Sequence, residues 1–557
     1  MNQPFQALRV HQTEAGPTSR LETLRLADLS AGEVVIRTRY AGINYKDSLA
    51  VTGRAKVLVD CGLFQGPKTL KQLNYNDFPF SPTSIDAVLL THAHIDHSGL
   101  IPKLAVQGFT GPIHATAGTI ALCGVMLPDA GAIQEMEVET LNRRNAQRAR
   151  ETVEPIYTKA DAEACLSQFS AVALDSWLEV APGIRARWWN AGHILGSASI
   201  EVEVVEGDAT ETMLFSGDLG PGGREFADDP EGPQGIDHLI IESTYGNVER
   251  EPVTQNQRRK VLAEALHAAH DAGGPLLIPA FAVERTQELI VDLLELMESG
   301  DAPRGSIFLD SPLAIRASKV FLQESQTRDG TERFRRLRES NLLHFTESAD
   351  ESRSIERIRG WHIIIAASGM CDAGRVRHHL KRLLPRREAT VLIVGFQAVG
   401  TLGRLLQDGR QWVRIQGDDI RVKAAIRSID VYSGHADALG LVAWAKARKP
   451  VTGSIFLLHG EPENLMGLRR RLESEGFAKG RVVIPKMDEA FSIEHRHVSA
   501  GEAPTIPRIE TESVSRLDWH NARAALLADL NEALDNAADD RTRERMIAEI
   551  KRKIATF

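Results

Sequence analysis

The sequence predicts an α/β protein divided into more than one domain, and three observations carry that prediction. Apolar runs of strand length at 87–90, 238–241, 275–278, 306–309, 361–366 and 391–394 alternate with longer amphipathic stretches of helical period. A chain of 557 residues exceeds what one hydrophobic core fills, and 43% hydrophobic content with 44 Gly and 24 Pro suits a loop-rich α/β composition. The run at 87–90 ends in Thr91-His92-Ala93-His94-Ile95-Asp96-His97-Ser98-Gly99, which packs three histidines and one aspartate into six residues.

That density of donors points to metal. Histidines at i and i+2 beyond a strand end can converge on one ion, while Asp96 and His97, past the turn, can address a second ion beside it. Imidazole nitrogen with carboxylate oxygen suits zinc, with manganese as the alternative. The stretch resembles the HxHxDH signature of the metallo-β-lactamase superfamily, whose members hold two metal ions between two β-sheets. The resemblance implies an αββα sandwich and leaves the substrate open, because lactams, thioesters and phosphodiesters are all hydrolysed on that fold.

In chain order, residues 1–56 read differently from the rest. Two strands are expected, at 6–10 and 33–40, joined by a polar segment and followed by Ala41-Gly42-Ile43-Asn44-Tyr45-Lys46-Asp47-Ser48. This opening resembles quinone-oxidoreductase-like enzymes of the acrylyl-CoA reductase group, with their GroES-like fold. No Gly-rich dinucleotide turn follows it, so the stretch reads as a fragment without reductase activity. Residues 57–66 resemble the strand and loop that precede HxHxDH, and Asp60 at the strand end matches the first superfamily motif. Its expected work is to accept the spare N–H of a ligating histidine and so fix tautomer and orientation.

A helix is expected at 99–107, a strand at 112–116 and a helix-rich stretch from 119 to 170. The strand from 184 ends at Asn190-Ala191-Gly192-His193, and Phe215-Ser216-Gly217-Asp218 follows. By resemblance these are the third and fourth superfamily motifs: His193 completes the ion held by His92 and His94, and Asp218 bridges the two ions. After the strand at 238–241 and Glu242-Ser243-Thr244-Tyr245-Gly246, helices at 257–272 and 285–298 alternate with buried strands, as in a second, parallel α/β sheet. Metal-type motifs then resume with Ser433-Gly434-His435-Ala436 and Leu458-His459-Gly460-Glu461. An insertion with these flanks is similar to the β-CASP family of nucleases. The expected division is therefore a fragment at 1–56, a metallo-β-lactamase domain at 57–245 and 429–500, an inserted β-CASP domain at 246–428 and a helical tail at 501–557.

The β-CASP resemblance implies the chemistry. His92, His94 and His193 hold one zinc ion, Asp96, His97 and His459 the other, and Asp218 lies between them. The two carboxylates only partly offset two divalent ions, so the centre prefers an anionic substrate and suits phosphodiester hydrolysis. His435 is the expected general acid, with Glu242 as its carboxylate partner; in the family they match motifs B and A, and His459 matches motif C. Histidine at motif C marks the RNA-processing members, whereas the DNA-repair branch carries an aliphatic residue there. The expected substrate is therefore RNA, with Ser433 touching the scissile phosphate. A small-residue turn holding Ser368 and Gly369 leads into Arg375 and a basic helix, and is expected to guide the strand.

A net charge of −9 argues against indiscriminate nucleic-acid binding but not against a local basic channel. Four scattered cysteines read as reduced thiols, no apolar run of membrane-spanning length is evident, and residues 1–20 lack a signal-peptide core. A cytoplasmic protein without membrane contact is expected, its C-terminal helices available for self-association. The alternatives are a hydrolase of the same fold acting on DNA or another phosphoester, and an inactive RNA-binding paralogue.

Overall fold

A computed structural model describes residues 5–13, 16–24, 55–65, 68–147, 150–207, 209–224, 226–251, 253–324, 340–398, 400–494, 496–500 and 519–555. The first compact unit, Met1–Val57, contributes the antiparallel hairpin β1 (Phe5–Thr13) and β2 (Gly16–Leu24), in register from Phe5 opposite Leu24 to Thr13 opposite Gly16. The expected strand at 6–10 lies in β1. β2 occupies the supposed polar connection, where polar residues at most positions hide the alternation that marks a strand. The second expected strand, 33–40, and the stretch 41–54 lie outside the described residues.

In the second unit, β3 (Val57–Val59), β4 (Ala87–Leu89), β5 (Ile113–Thr116) and β6 (Phe169–Val172) form a four-stranded sheet in that order, and β4, β5 and β6 run parallel. Residues 87–90 are wholly buried, as a parallel strand covered on both faces must be. β7 (Leu178–Ala181), β8 (Ile184–Asn190), β9 (Ala198–Glu206) and β10 (Ala209–Phe215) form an antiparallel run that β11 (His238–Glu242) joins in parallel. Trp188 on β8, fully buried, reaches the first sheet and donates its indole N–H to the Leu90 carbonyl at 3.4 Å.

After β11 the chain leaves this sheet to build another. β12 (Leu276–Pro279), β13 (Ile307–Leu309), β14 (Leu343–Phe345), β15 (Ile363–Ala366) and β16 (Thr390–Ile393) precede a hairpin of β17 (Trp412–Ile415) and β18 (Asp418–Arg421), and β19 (Ala425–Ser428) closes the series. The sheet order is β14-β13-β15-β12-β16-β19, and every pair is parallel. β20 (Ile455–Leu458) then returns to pair with β11, and β21 (Val482–Val483) pairs with β20. The architecture is the expected one: an α/β metallo-β-lactamase sandwich carrying an inserted β-CASP domain. A hairpin of β22 (Phe491–Glu494) and β23 (His497–Ala500) follows.

Helix Trp519–Asp535 is tied to the inserted domain through Arg410 to Asp529 at 2.7 Å and Arg421 to Asp535 at 2.9 Å. The last helix, Asp540–Ile554, buries none of its residues. All four cysteines are buried and unpaired. The helix Ala117–Ala146, 30 residues long, is apolar enough by length and composition to cross a membrane, against the expectation that no stretch would be. It packs as a core helix does, burying Leu122, Cys123, Met126 and Leu127.

Inside the inserted domain, Asp310 is fully buried after β13 and accepts hydrogen bonds from Arg375 Nη1 (2.6 Å), His379 Nε2 (2.6 Å), Ser352 Oγ (2.6 Å) and Thr346 Oγ1 (2.8 Å). Burial alone would raise its carboxyl; the hydrogen bonds from His379, Ser352 and Arg375 outweigh that and hold it below the usual carboxylate range. Because the folded-state value is depressed, the stabilisation is full above the unfolded value and is lost as pH falls through the folded one. Asp310→Asn should therefore lower unfolding free energy by about 3 kcal/mol at neutral pH, with the difference from the wild type shrinking only in strong acid. Urea unfolding across that pH range measures both.

Candidate metal centre

Four strand ends deliver the predicted donors to one place. β4 ends at the loop 91–94, β8 leads to His193, β10 to Asp218 and β20 to His459. Two groups form around Asp218. His92, His94, His193 and Asp218 each offer an atom within 4.8 Å of the others, and so do Asp96, His97 and His459.

In the first group, His92 Nε2 and His193 Nε2 each lie 3.1 Å from His94 Nδ1. The other ring nitrogens are committed: His193 Nδ1 donates to the Gly434 carbonyl at 2.7 Å, and His92 Nδ1 meets Thr91 Oγ1 at 3.0 Å. The converging nitrogens therefore present lone pairs to one another, an arrangement that a cation relieves. Burial pushes His92 and His193 well below the ordinary histidine value and His94 down to about 4, so these rings are neutral and ligand-competent at neutral pH.

The second group is more open: His459 is 35% and Asp96 38% exposed at the side chain. His459 Nε2 lies 3.5 Å from Asp96 Oδ2. Burial opposes protonation of His97 and His459, yet Asp218 and a second carboxylate, Asp60 for His97 and Asp96 for His459, raise both, the latter to about 9. Asp218 faces both groups, with Oδ2 3.5 Å from His92 Nε2 and 3.6 Å from His193 Nε2, and Oδ1 3.4 Å from His97 Nε2 and from His459 Nδ1. Burial would raise this carboxyl, but His459, His97 and His435 hold it well below the usual range. Two buried atoms between the groups, His97 Nε2 and Asp218 Oδ1, have no hydrogen-bond partner. Orphaned donors at this position, in an imidazole and carboxylate set, fit a pair of divalent ions.

Asp60 stands behind the loop. It accepts the Thr91 amide and hydroxyl, both at 2.8 Å, and His97 Nδ1 at 2.7 Å. One carboxylate thus orients His97 directly and His92 through the Thr91 hydroxyl. Glu242, 2% exposed at the end of β11, accepts the Leu219 amide at 2.6 Å and lies 3.2 and 3.3 Å from His435 Nδ1. Its carboxylate leaves Nε2 of His435 free.

The remaining candidates fall elsewhere. Ser433 is buried, and its Oγ accepts the His435 amide at 3.3 Å, so it shapes the turn that presents His435. Arg375 donates to Asp310 and to the carbonyls of Thr346 (3.0 Å) and Glu347 (2.7 Å). Ser368 and Gly369 lie in a turn that bonds to other groups of the inserted domain. The Ser368 amide donates to Ala373, its carbonyl accepts from Cys371, and the Gly369 carbonyl accepts Gln397 Nε2 at 3.0 Å. The basic helix beyond is matched by acids from distant segments, Arg377 by Glu137 and Lys381 by Asp418.

Sequence reasoning passed over Thr91, Tyr245 and Arg285. The Tyr245 ring lies 6.1 Å from His435 and 5.6 Å from Phe396, with the Arg250 guanidinium 3.6 Å above it. Arg285 lies beside Gly434.

Comparison with known proteins bears on the same residues. The family model described as the metallo-beta-lactamase superfamily matches residues 47–252, the Beta-Casp domain matches 286–406, and the Zn-dependent metallo-hydrolase RNA specificity domain matches 419–485. These matches begin at residue 47 and lend no support to a reductase-like opening. Ribonuclease TTHA0252 of Thermus thermophilus is 33% identical over 437 residues, covering 77% of this chain and 93% of that protein. Transcription termination factor FttA of Methanothermobacter thermautotrophicus is 31% identical over 74% of this chain, and that of Pyrococcus abyssi 30% over 69%. The chain spans 64% and 58% of the lengths of those two factors.

Gly62 marks how tightly the loop is held, since a Cβ there would lie 1.5 Å from the Asp96 carbonyl oxygen. Gly62→Ala should displace Asp96 and His97 and weaken metal binding by about tenfold or more. Chelator competition, with circular dichroism to verify folding, reads the effect.

Proposed function

We propose that this chain, which belongs to the metallo-β-lactamase/β-CASP family of metal-dependent nucleases, hydrolyses RNA phosphodiester bonds at a dinuclear zinc centre. The observation that carries the proposal is the position of Asp218, one oxygen toward His92 and His193 and the other toward His97 and His459. RNA as substrate is supported by His459 at motif C, by the RNA specificity domain matched at 419–485 and by the ribonuclease among the relatives.

In this reading His92, His94 and His193 hold one ion and Asp96, His97 and His459 the other. Bound divalent ions supply Lewis acidity at the phosphate and lower the pKa of water. Asp60 keeps His92 and His97 in the tautomers that leave their Nε2 lone pairs forward. His435 supplies a proton for the departing sugar oxygen: water adds to phosphorus and releases one proton to solvent, the P–O bond opposite breaks, and the Nε2–H of His435 goes to the oxygen released. Glu242 accepts Nδ1–H and so keeps Nε2 as the donating atom.

Chelation should abolish cleavage of end-labelled single-stranded RNA, and zinc should restore it. Asp218→Ala should lose both metal and cleavage, whereas His435→Ala should keep its metal and slow single-turnover cleavage by about 10²- to 10⁴-fold. Equal metal loss in the two variants would refute the division of roles. Preferential cleavage of DNA would favour the first alternative, and RNA bound but uncut, with no effect of His459→Ala, the second.

A further inference from the structure

We infer that Arg285 is the seat for a phosphate of the bound strand, at the seam where the inserted domain meets the metal loop. The inference rests on the nuclease reading and adds to it the residue that grips the substrate from the inserted domain. Arg285 opens the helix Arg285–Ser299 and is only 8% exposed, yet its Nε and Nη1 are buried without a hydrogen-bond partner. A buried guanidinium with unmet donors is a state native proteins rarely keep unless a ligand completes it.

Two of the neighbouring acids are spent, while Glu284 keeps both carboxylate oxygens buried without a hydrogen-bond partner. Glu288 gives both oxygens to Arg224, at 2.9 and 2.7 Å. Asp292 takes Arg258 at 2.7 and 3.1 Å, Arg259 at 2.8 Å and the Tyr432 hydroxyl at 2.7 Å. Glu284 is pushed up to about 8 by burial and by Glu288, so at neutral pH it brings little negative charge. Burial and Arg224 lower Arg285 only to about 10, leaving it cationic.

Placement gives the unmet charge its direction. A Cβ on Gly434 would stand 3.1 Å from Arg285 Nη2 and 3.2 Å from His193 Cε1, so a side chain there would crowd both groups. The carbonyl of that glycine accepts from His193, and the next residue is His435. A planar cation that approaches Gly434 through Nη2 and keeps Nε and Nη1 unmet matches the non-bridging oxygens of a phosphodiester.

Binding tests this without turnover. With the full chain as isolated and chelator added to halt cleavage, fluorescence anisotropy of a labelled single-stranded RNA is followed across a salt titration. Arg285→Gln should weaken binding about tenfold and reduce the slope of log affinity against log salt by about 0.7, with Arg285→Lys recovering part of both. Inorganic phosphate should raise the melting temperature of the wild type above that in chloride of equal ionic strength, and should do so less for Arg285→Gln. Unchanged affinity and slope in a folded Arg285→Gln protein overturns the seat. Should that variant fail to fold, absence of phosphate stabilisation in the wild type overturns it. Metal-loaded wild type that leaves RNA uncut while Arg285-dependent phosphate binding persists sinks the nuclease reading and supports the seat.

Discussion

The structure depends most on one buried carboxylate. Asp218 is 2% exposed at a strand end, where an unpaired charge would be prohibitive, and it is tolerable only because imidazoles from four separate stretches of chain surround it. Those stretches are the loop after β4, the loop after β8, the turn at 433–435 and the end of β20. The two sheets must face each other, and β20 must return to β11, for the group to assemble at all. The fold is in this sense an apparatus for bringing opposite charge to Asp218.

The inserted domain is held to that apparatus by its own buried charges. Arg258, Arg259 and the Tyr432 hydroxyl converge on Asp292, and Arg224, from the loop after β10, grips Glu288 of the insertion. Glu242 immediately precedes the insertion and His435 closely follows it, so their contact at 3.2 Å pins entry and exit together. The pair that would handle the proton is thus assembled by the domain boundary itself.

Much of this was legible in the sequence, in proportion to how local the signal was. His92, His94, Asp96 and His97 fall within a span of six residues just beyond a strand end, a spacing that favours convergence. His193, Asp218, His435 and His459 are isolated residues, and only the ordered resemblance to known motifs united them. The second sheet was readable because fully buried parallel strands such as 363–366 are apolar throughout. Charge pairing was not legible. The basic run after Arg375 gives no local sign of its acidic partners, Asp310, Glu137 and Asp418, which lie far off in sequence. Arg285 passed unnoticed for the converse reason: nothing local shows that a cation will be left without a partner. β2 was missed because its polar residues give no apolar alternation.

The hydrogen bond from His193 to the Gly434 carbonyl reaches further than tautomer control. Gly434 lies on the segment by which the chain comes back from the insertion, so a candidate metal-ligating imidazole is tied to that segment. The set of the His193 imidazole is therefore fixed in part by where the returning segment lies, so the first half of the cluster takes its shape from both sides of the domain boundary.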